Sequence, residues 1–268
     1  MKDDFCFLHY ISLIHYKLLM NIKFIPIILL LFTTTVAKAI DKTDTKKSKG
    51  KSKDYISLNI GMSVPISDFG SKDYTNDKAG FANTGVNAAL VYISESLGKT
   101  PFGIALKFNF SSNPFSYSDF KIPFTNGSVN GASAGNYISY SGLIGINLKI
   151  PIDEFSIDLR LMGGLLSGAL PKVNFVAVNS ANAIVGTEYM KPASSNVICY
   201  SGEAGMRYRF SEKAEFTGNI GFMNAKTKYN TEFVATNSGT GQTSTQSGNI
   251  DIPYITIFAS VGVIFKLN

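Results

Sequence analysis

The chain has 268 residues, of which 45% are hydrophobic and only 16% charged, with a formal net charge of +6. Two cysteines and two histidines exclude a disulfide-stapled scaffold and a His/Cys metal centre. The positive balance owes much to lysines that precede residue 54, so it is no signature of nucleic-acid binding.

In chain order, residues 1–39 read as a signal-peptide region. Met20 is the expected true start, and Met1–Leu19, which holds Cys6, His9 and His15, is an upstream extension. Lys23, the apolar run Phe24–Phe32 and the small-residue site Ala37-Lys38-Ala39 follow, with cleavage expected after Ala39. The run is too short, and too soon followed by lysines, to span a membrane as a helix. Residues 40–53, with Lys42, Lys46, Lys47, Lys49, Lys51 and Lys53, form a basic flexible leader.

From residue 54 to 268 the chain alternates apolar and polar residues in eight stretches: Asp54–Ile66, then 81–94, 101–111, 137–150, 154–166, 197–210, 213–224 and 252–267. In the first, Ile56, Leu58, Ile60, Met62 and Val64 share one face, opposite Tyr55, Ser57, Asn59, Gly61 and Ser63. Short links (Ser94–Thr100, Pro151–Asp153, Ser211–Lys213) alternate with long ones (67–79, 112–135, 167–195, 225–250). The layout predicts an all-β fold: an eight-stranded antiparallel up-and-down transmembrane β-barrel with short periplasmic turns and long extracellular loops. Large aliphatic residues such as Ile104, Leu106, Ile144, Ile146, Ile157 and Leu161 then face lipid. Small residues such as Gly61, Ala105, Ser141, Gly145, Gly164, Ser201 and Gly262 fill the narrow lumen.

Aromatics on the lipid phase sort toward two rims. Tyr92, Phe102, Phe155, Phe210, Phe216 and Phe265 lie toward the short turns, and Phe110, Tyr140, Tyr200 and Phe222 toward the long loops. Such girdles mark the two membrane–water interfaces, roughly 25 Å apart. With no Trp in the chain, Phe and Tyr take this role. On the lumen phase sit charges: Lys107 on the third stretch, Asp158 and Arg160 on the fifth, and Glu203, Arg207 and Arg209 on the sixth. Lys149, Glu215 and Lys266 share that phase near the periplasmic rim. Adjacency of the fifth and sixth stretches predicts cross-lumen pairing of Asp158/Arg160 with Glu203/Arg207, a charged plug rather than a bore.

In the long loops, Phe115–Phe124 (FSYSDFKIPF) carries Phe115, Tyr117, Phe120 and Phe124 between Pro114 and Pro123. This is a candidate partner-binding loop, the alternative being aromatics folded over the barrel mouth. Lys172–Val178 and Ala183–Tyr189 alternate around Asn179–Asn182 and predict a hairpin extending the fifth and sixth strands. Tyr229–Ala235 extends the seventh before Asn237–Gly241 turns back, and Thr236–Gly248, rich in Ser, Thr, Gly and Gln, reads as mobile. A protruding sheet with a free edge offers strand addition to another protein.

The segments GMSVPISDFG (Gly61–Gly70), GFANTGVNAAL (Gly80–Leu90) and the closing Gly-Val-Ile-Phe give residues 55–268 a resemblance to the small outer-membrane β-barrel proteins of the OmpA/OmpX type. The resemblance implies an integral protein of the Gram-negative outer membrane, inserted by the barrel-assembly machinery, which in the family reads a terminal aromatic. Here Lys266-Leu267-Asn268 follow Phe265, a departure from that ending. Beyond the leader the sequence has no His to act as general base, so catalysis is not expected, and neither a metal nor another cofactor is implied. The expected role is structural or surface-interacting (adhesin-like), in a monomer whose partners are outer-membrane lipid and an extracellular protein or surface ligand reached through the long loops. A narrow porin-like channel is the alternative, and an outer-membrane enzyme comes third.

Overall fold

The computed structural model describes residues 54–95 and 100–267; the signal region, its cleavage site at Ala37 and Ala39, and the basic leader lie outside these residues. Twelve strands follow in order: β1 (Asp54–Pro65), β2 (Gly85–Ser94), β3 (Phe102–Pro114), β4 (Lys121–Phe124), β5 (Gly127–Ala134), β6 (Asn136–Ile152), β7 (Phe155–Leu170), β8 (Val173–Asn179), β9 (Ile184–Met190), β10 (Ala193–Arg209), β11 (Ala214–Asn237) and β12 (Thr243–Leu267). One helical turn, α1 (Ser67–Gly70), follows β1.

Eight of these strands close a ring. Antiparallel ladders join β1 to β2, β2 to β3, β3 to β6, β6 to β7, β7 to β10, β10 to β11, β11 to β12, and β12 back to β1. Closure leaves no unpaired edge at membrane depth, which a sheet in hydrocarbon requires. Some glycines let the wall approach itself closely. A Cβ on Gly145 would lie 2.0 Å from the Leu161 carbonyl oxygen, and one on Gly164 would lie 1.9 Å from that of Gly142.

The remaining four strands build an external sheet in the order β4–β5–β8–β9, joined to the barrel where β9 pairs with Phe233–Asn237 of β11. Here the structure bears out the hairpin read from the sequence. β8 and β9 extend β7 and β10 in the same register: Leu170 lies opposite Ala193 and, past a two-residue break on each strand, Val173 lies opposite Met190. Pro171 and Pro192 stand at its two bases, each lacking the amide hydrogen that a continuing ladder needs. The ladder breaks there and resumes in β8 and β9, flanked by β5 on one side and the upper part of β11 on the other. β11 and β12 extend upward without a break, running 24 and 25 residues, far beyond the 9–11 that cross a bilayer. Thr243–Gly248, expected to be mobile, is the first quarter of β12. Its turn is tied by Asn237, whose side chain accepts from the amides of Gly239 and Thr240.

The outer wall is apolar and exposed. Ile60 is 67% accessible, Phe108 66%, Leu161 65%, Leu165 66%, Ile198 78% and Val261 66%. Residues of this kind cover every face of the ring, which is tolerable in lipid and not in water.

Candidate functional site

The lumen is closed in two layers built from different chemistry. Near the periplasmic rim, the alternating phase points Lys107 (β3), Lys149 (β6), Asp158 and Arg160 (β7), Glu203 and Arg207 (β10) and Glu215 (β11) inward, all but Lys149 buried. Register brings Glu203 opposite Arg160, Arg160 opposite Asn147, and Lys149 opposite Asp158. The contacts form a continuous chain. Lys107 Nζ binds Glu203 Oε1, and Arg160 Nη1 reaches Glu203 Oε2 at 3.1 Å. Arg160 Nη2 meets Asp158 Oδ2 at 2.9 Å, and Arg207 Nε binds that same oxygen. Arg207 Nη1 donates to Glu95 at 2.8 Å, and Lys149 reaches Glu95 at 2.6 Å. Glu215 lies 3.6 Å from Arg207. Asn147 accepts from Arg160 Nε at 3.1 Å. Lys107 also lies over the Phe258 ring, 4.0 Å from its centroid. Four cations (Lys107, Lys149, Arg160, Arg207) meet four carboxylates (Glu95, Asp158, Glu203, Glu215), so the layer carries no net formal charge.

The structure thus joins Lys107, Asp158, Arg160, Glu203 and Arg207 in one network, but the partners differ from a simple pairing of neighbours. Arg207 bonds Asp158 and Glu95, not Glu203. Glu95, in the short link after β2, is a member that the sequence reading missed. Its phase was legible, since Ile93 points inward and Glu95 lies two residues on. Two residues expected in the lumen are elsewhere: the Arg209 side chain is 60% exposed and Lys266 is exposed, both at the strand ends beyond the wall.

Toward the outside, the lumen is apolar rather than merely small. Leu143, Met162, Leu166, Cys199, Met223, Tyr229, Tyr254 and Phe258 are buried there. Phe69 of α1 drops into the mouth with its ring 4.6 Å from Tyr254 and 5.2 Å from Tyr137. The tyrosine hydroxyls in this layer find partners: Tyr254 bonds Ser111 at 2.7 Å and Ser139 at 2.9 Å, and Tyr137 donates to the Gly80 carbonyl at 2.6 Å. Above them Phe81, held at a left-handed φ of 51°, stacks on Phe115, and Phe120 bridges Phe81 to Phe175 of β8. The aromatic loop is therefore divided. Phe115 is buried and Phe120 packs against the core, whereas Tyr117 and Phe124 stay exposed. In the adjoining loop, Lys72 donates to the Ala82 carbonyl at 2.9 Å, and burial pushes its amine down to about 8.

The aromatics assigned to the rims face outward. Tyr140, Phe155, Tyr200, Phe210, Phe216, Phe222 and Phe265 are exposed, while Tyr92, Phe102 and Phe110 are half-buried against neighbours. They associate across strands: Phe110 with Tyr140 and Tyr200 with Phe222 on the external side, Phe210 with Phe216 on the periplasmic side. Phe155 pairs with Tyr208, another aromatic that the sequence reading passed over. Among the described residues no group of three His, Cys, Asp or Glu side chains is disposed to hold a metal ion.

The architecture is that of a small outer-membrane β-barrel. No family model matches the chain, and no curated protein matches it. Solved structures similar to it include Neisserial surface protein A (10% identity, 80% of this chain and 97% of that one, TM-score 0.44). The attachment invasion locus protein Ail of Yersinia pestis has 14% identity over 81% of this chain and all 100% of its own, with a TM-score of 0.42. The outer membrane protease OmpT of Escherichia coli has 9% identity over 84% of this chain and 100% of its own, with a TM-score of 0.42. A fold does not carry an activity by itself, and the closed ring and apolar wall of this chain are what define its architecture.

Proposed function

We propose that the protein is a non-enzymatic, integral outer-membrane barrel that serves as a surface-interaction (adhesin-like) platform, with its lumen plugged and its external sheet offered to a partner polypeptide. One observation carries this reading: the two edges of the external sheet are treated differently. At the β4 edge, Phe120 turns its carbonyl to β5, so Lys121 and Pro123 turn outward. Proline has no amide hydrogen, and lysine beside it is a usual guard against strand addition. The other edge is the upper half of β12. Its ladder to β1 ends at Thr256, and Ile255 directs its carbonyl to the Ile66 amide. Alternation then turns the backbone groups of Thr243, Thr245, Ser247, Asn249 and Asp251 toward the unpaired side. Pro253, on the same phase, removes one donor at the base, but from Thr243 to Asp251 the edge carries no proline or lysine, and among the described residues no strand pairs there. An extended polypeptide adding a strand at this edge gains a row of main-chain hydrogen bonds.

The test pans a phage-displayed library of random decapeptides on the full barrel in lipid nanodiscs, beside planar-bilayer recordings. Enriched peptides are expected to lose binding to Ser247→Pro, which deletes an edge-facing donor, and to retain it with Ser244→Ala. Steady conductance by the wild type, with no peptide sensitive to Ser247→Pro, would replace this reading with the porin-like one.

A further inference from the structure

We propose that the lipid-facing wall carries a specific site for a phosphate-bearing membrane lipid, its acyl chain in a groove across β3, β6 and β7 and its phosphate on Lys226 and Lys228 of β11. The wall is not uniformly filled. Gly142 sits on its outward face at the level of Phe108 and Leu165, and a Cβ added there would meet only the Phe108 ring edge, at 3.9 Å. Ala88 is likewise small and outward. Together they floor a groove of about 750 Å³ walled by Leu90, Phe108, Leu165 and Ile198, opening between Tyr140 of the external aromatic ring and Asn196 of β10.

β11 is the next strand from Asn196 and Ile198. Its outward residues run Phe216, Gly218, Ile220 and Phe222 at lipid depth, then Asn224, and then Lys226 and Lys228, both exposed. The two lysines therefore stand one to three residue pairs outside the aromatic ring, at the height where headgroup phosphates lie. Lys226 faces Pro253 across the ladder and Lys228 faces Asp251; neither makes an ion pair within 4 Å among the described residues. The carboxylate of Glu232, higher on the same face, is already held by Lys191 at 2.6 Å. A cationic pair that makes no ion pair within 4 Å among the described residues, with one carboxylate (Asp251) opposite, lies beside an apolar trough descending into the membrane and matches a ligand with an anionic head and an alkyl tail.

Binding is read on the full chain refolded in neutral detergent, by titration with dioctanoyl phosphatidic acid, dioctanoyl phosphatidylcholine and inorganic phosphate. The phosphatidic acid is expected to bind saturably and about tenfold more tightly than the zwitterionic lipid, and inorganic phosphate not at all. Lys226→Gln with Lys228→Gln should weaken phosphatidic acid by about thirty-fold, from about 1 kcal/mol per lysine at a headgroup surface, and phosphatidylcholine, whose phosphate meets the same lysines, by about threefold, which erases the preference. Asp251→Asn should strengthen it, and Gly142→Leu should weaken both lipids by filling the groove, with Lys121→Gln a neutral control. Equal affinity for the two lipids, a preference that survives the double lysine change, or saturable binding of phosphate alone would each overturn the site.

Discussion

Glu203→Ala is the most informative single change in the lumen, because its two partners are not left in the same position. Arg160 loses one contact at 3.1 Å but keeps Asp158 at 2.9 Å and Asn147 at 3.1 Å. Lys107 loses the one carboxylate it contacts among the described residues, and with 3% of its side chain accessible it cannot reach water. What remains for it is the Phe258 ring. Removing one member of a buried pair typically costs about 3–5 kcal/mol, most of it the uncompensated charge left behind. Deleting both charges, in Lys107→Ala with Glu203→Ala, should recover about 1–3 kcal/mol of that loss as a coupling energy. The exposed pair Lys191–Glu232, with side chains 46% and 44% accessible, provides the internal scale. Breaking it by Glu232→Ala should be close to neutral, as for exposed ion pairs in general. Urea titrations of refolding into lipid vesicles measure all of these on one protein, and single-channel recordings of Glu203→Ala should show transient openings absent from the wild type. Glu203→Ala costing no more than Glu232→Ala, or strict additivity of the Lys107 and Glu203 changes, would refute the reasoning.

On the wall, Ile146→Arg sets a charge on a half-exposed lipid-facing position and should destabilise by roughly 2–4 kcal/mol, whereas Ile146→Val should be near neutral, as read by the same titrations. Phe69→Ala removes the ring between Tyr137 and Tyr254 and should cost roughly 3–5 kcal/mol; conductance should stay near zero because the ionic layer below is untouched. Lys72 gives a pH dependence with a definite sign. Its folded value of about 8 lies below the ordinary 10.5, so between these values the unfolded chain binds the extra proton. Stability should therefore rise as pH rises from about 8 to about 10. Thermal unfolding of the wild type beside Lys72→Met should show that slope only in the wild type.

The eight barrel strands were legible because a period of two with one face in lipid is a long-range signal repeated eight times. The chain ends of those strands were not, since nothing in alternation says where the membrane stops. β11 alternates Lys226, Lys228 and Asn230 against Thr227, Tyr229 and Thr231 as regularly above the bilayer as within it. The β8–β9 hairpin was legible because it carries on the β7–β10 register; alternation did not show the break at Pro171 and Pro192, nor that β5 and β11 flank it. In the lumen, the phase identified which charges face inward. It did not identify their partners, because strand register and the reach of each side chain decide between Glu203 and Asp158 for Arg207. The apolar upper lumen was hidden for another reason. On β12, Ile252, Tyr254, Phe258 and Ile264 face inward while Ile255, Ile257, Val261 and Val263 face outward, so both phases of that strand are apolar.

The polar upper part of β12 poses an energetic question that the rest of the barrel does not. Ordering a residue costs about 1–2 kcal/mol of backbone entropy, and a transmembrane strand offsets this by burial and by ladders on both sides. Thr243–Ser247 has a ladder on one side only, buries no apolar side chain, and is exposed throughout. It is held by what lies across β11: Phe233 packs on the core, Val234 is buried, and the β9 ladder fixes Phe233–Asn237 from the other side. The hood formed by β5, β8 and β9 over Phe120 and Phe175 thus stabilises an edge that contributes little in return. A chain selected only for a stable plugged barrel would gain by trimming that edge to a short turn near Ile252. Its retention as an ordered strand with no proline or lysine between Thr243 and Asp251, opposite an edge that carries Lys121 and Pro123, supports the proposed pairing with another polypeptide.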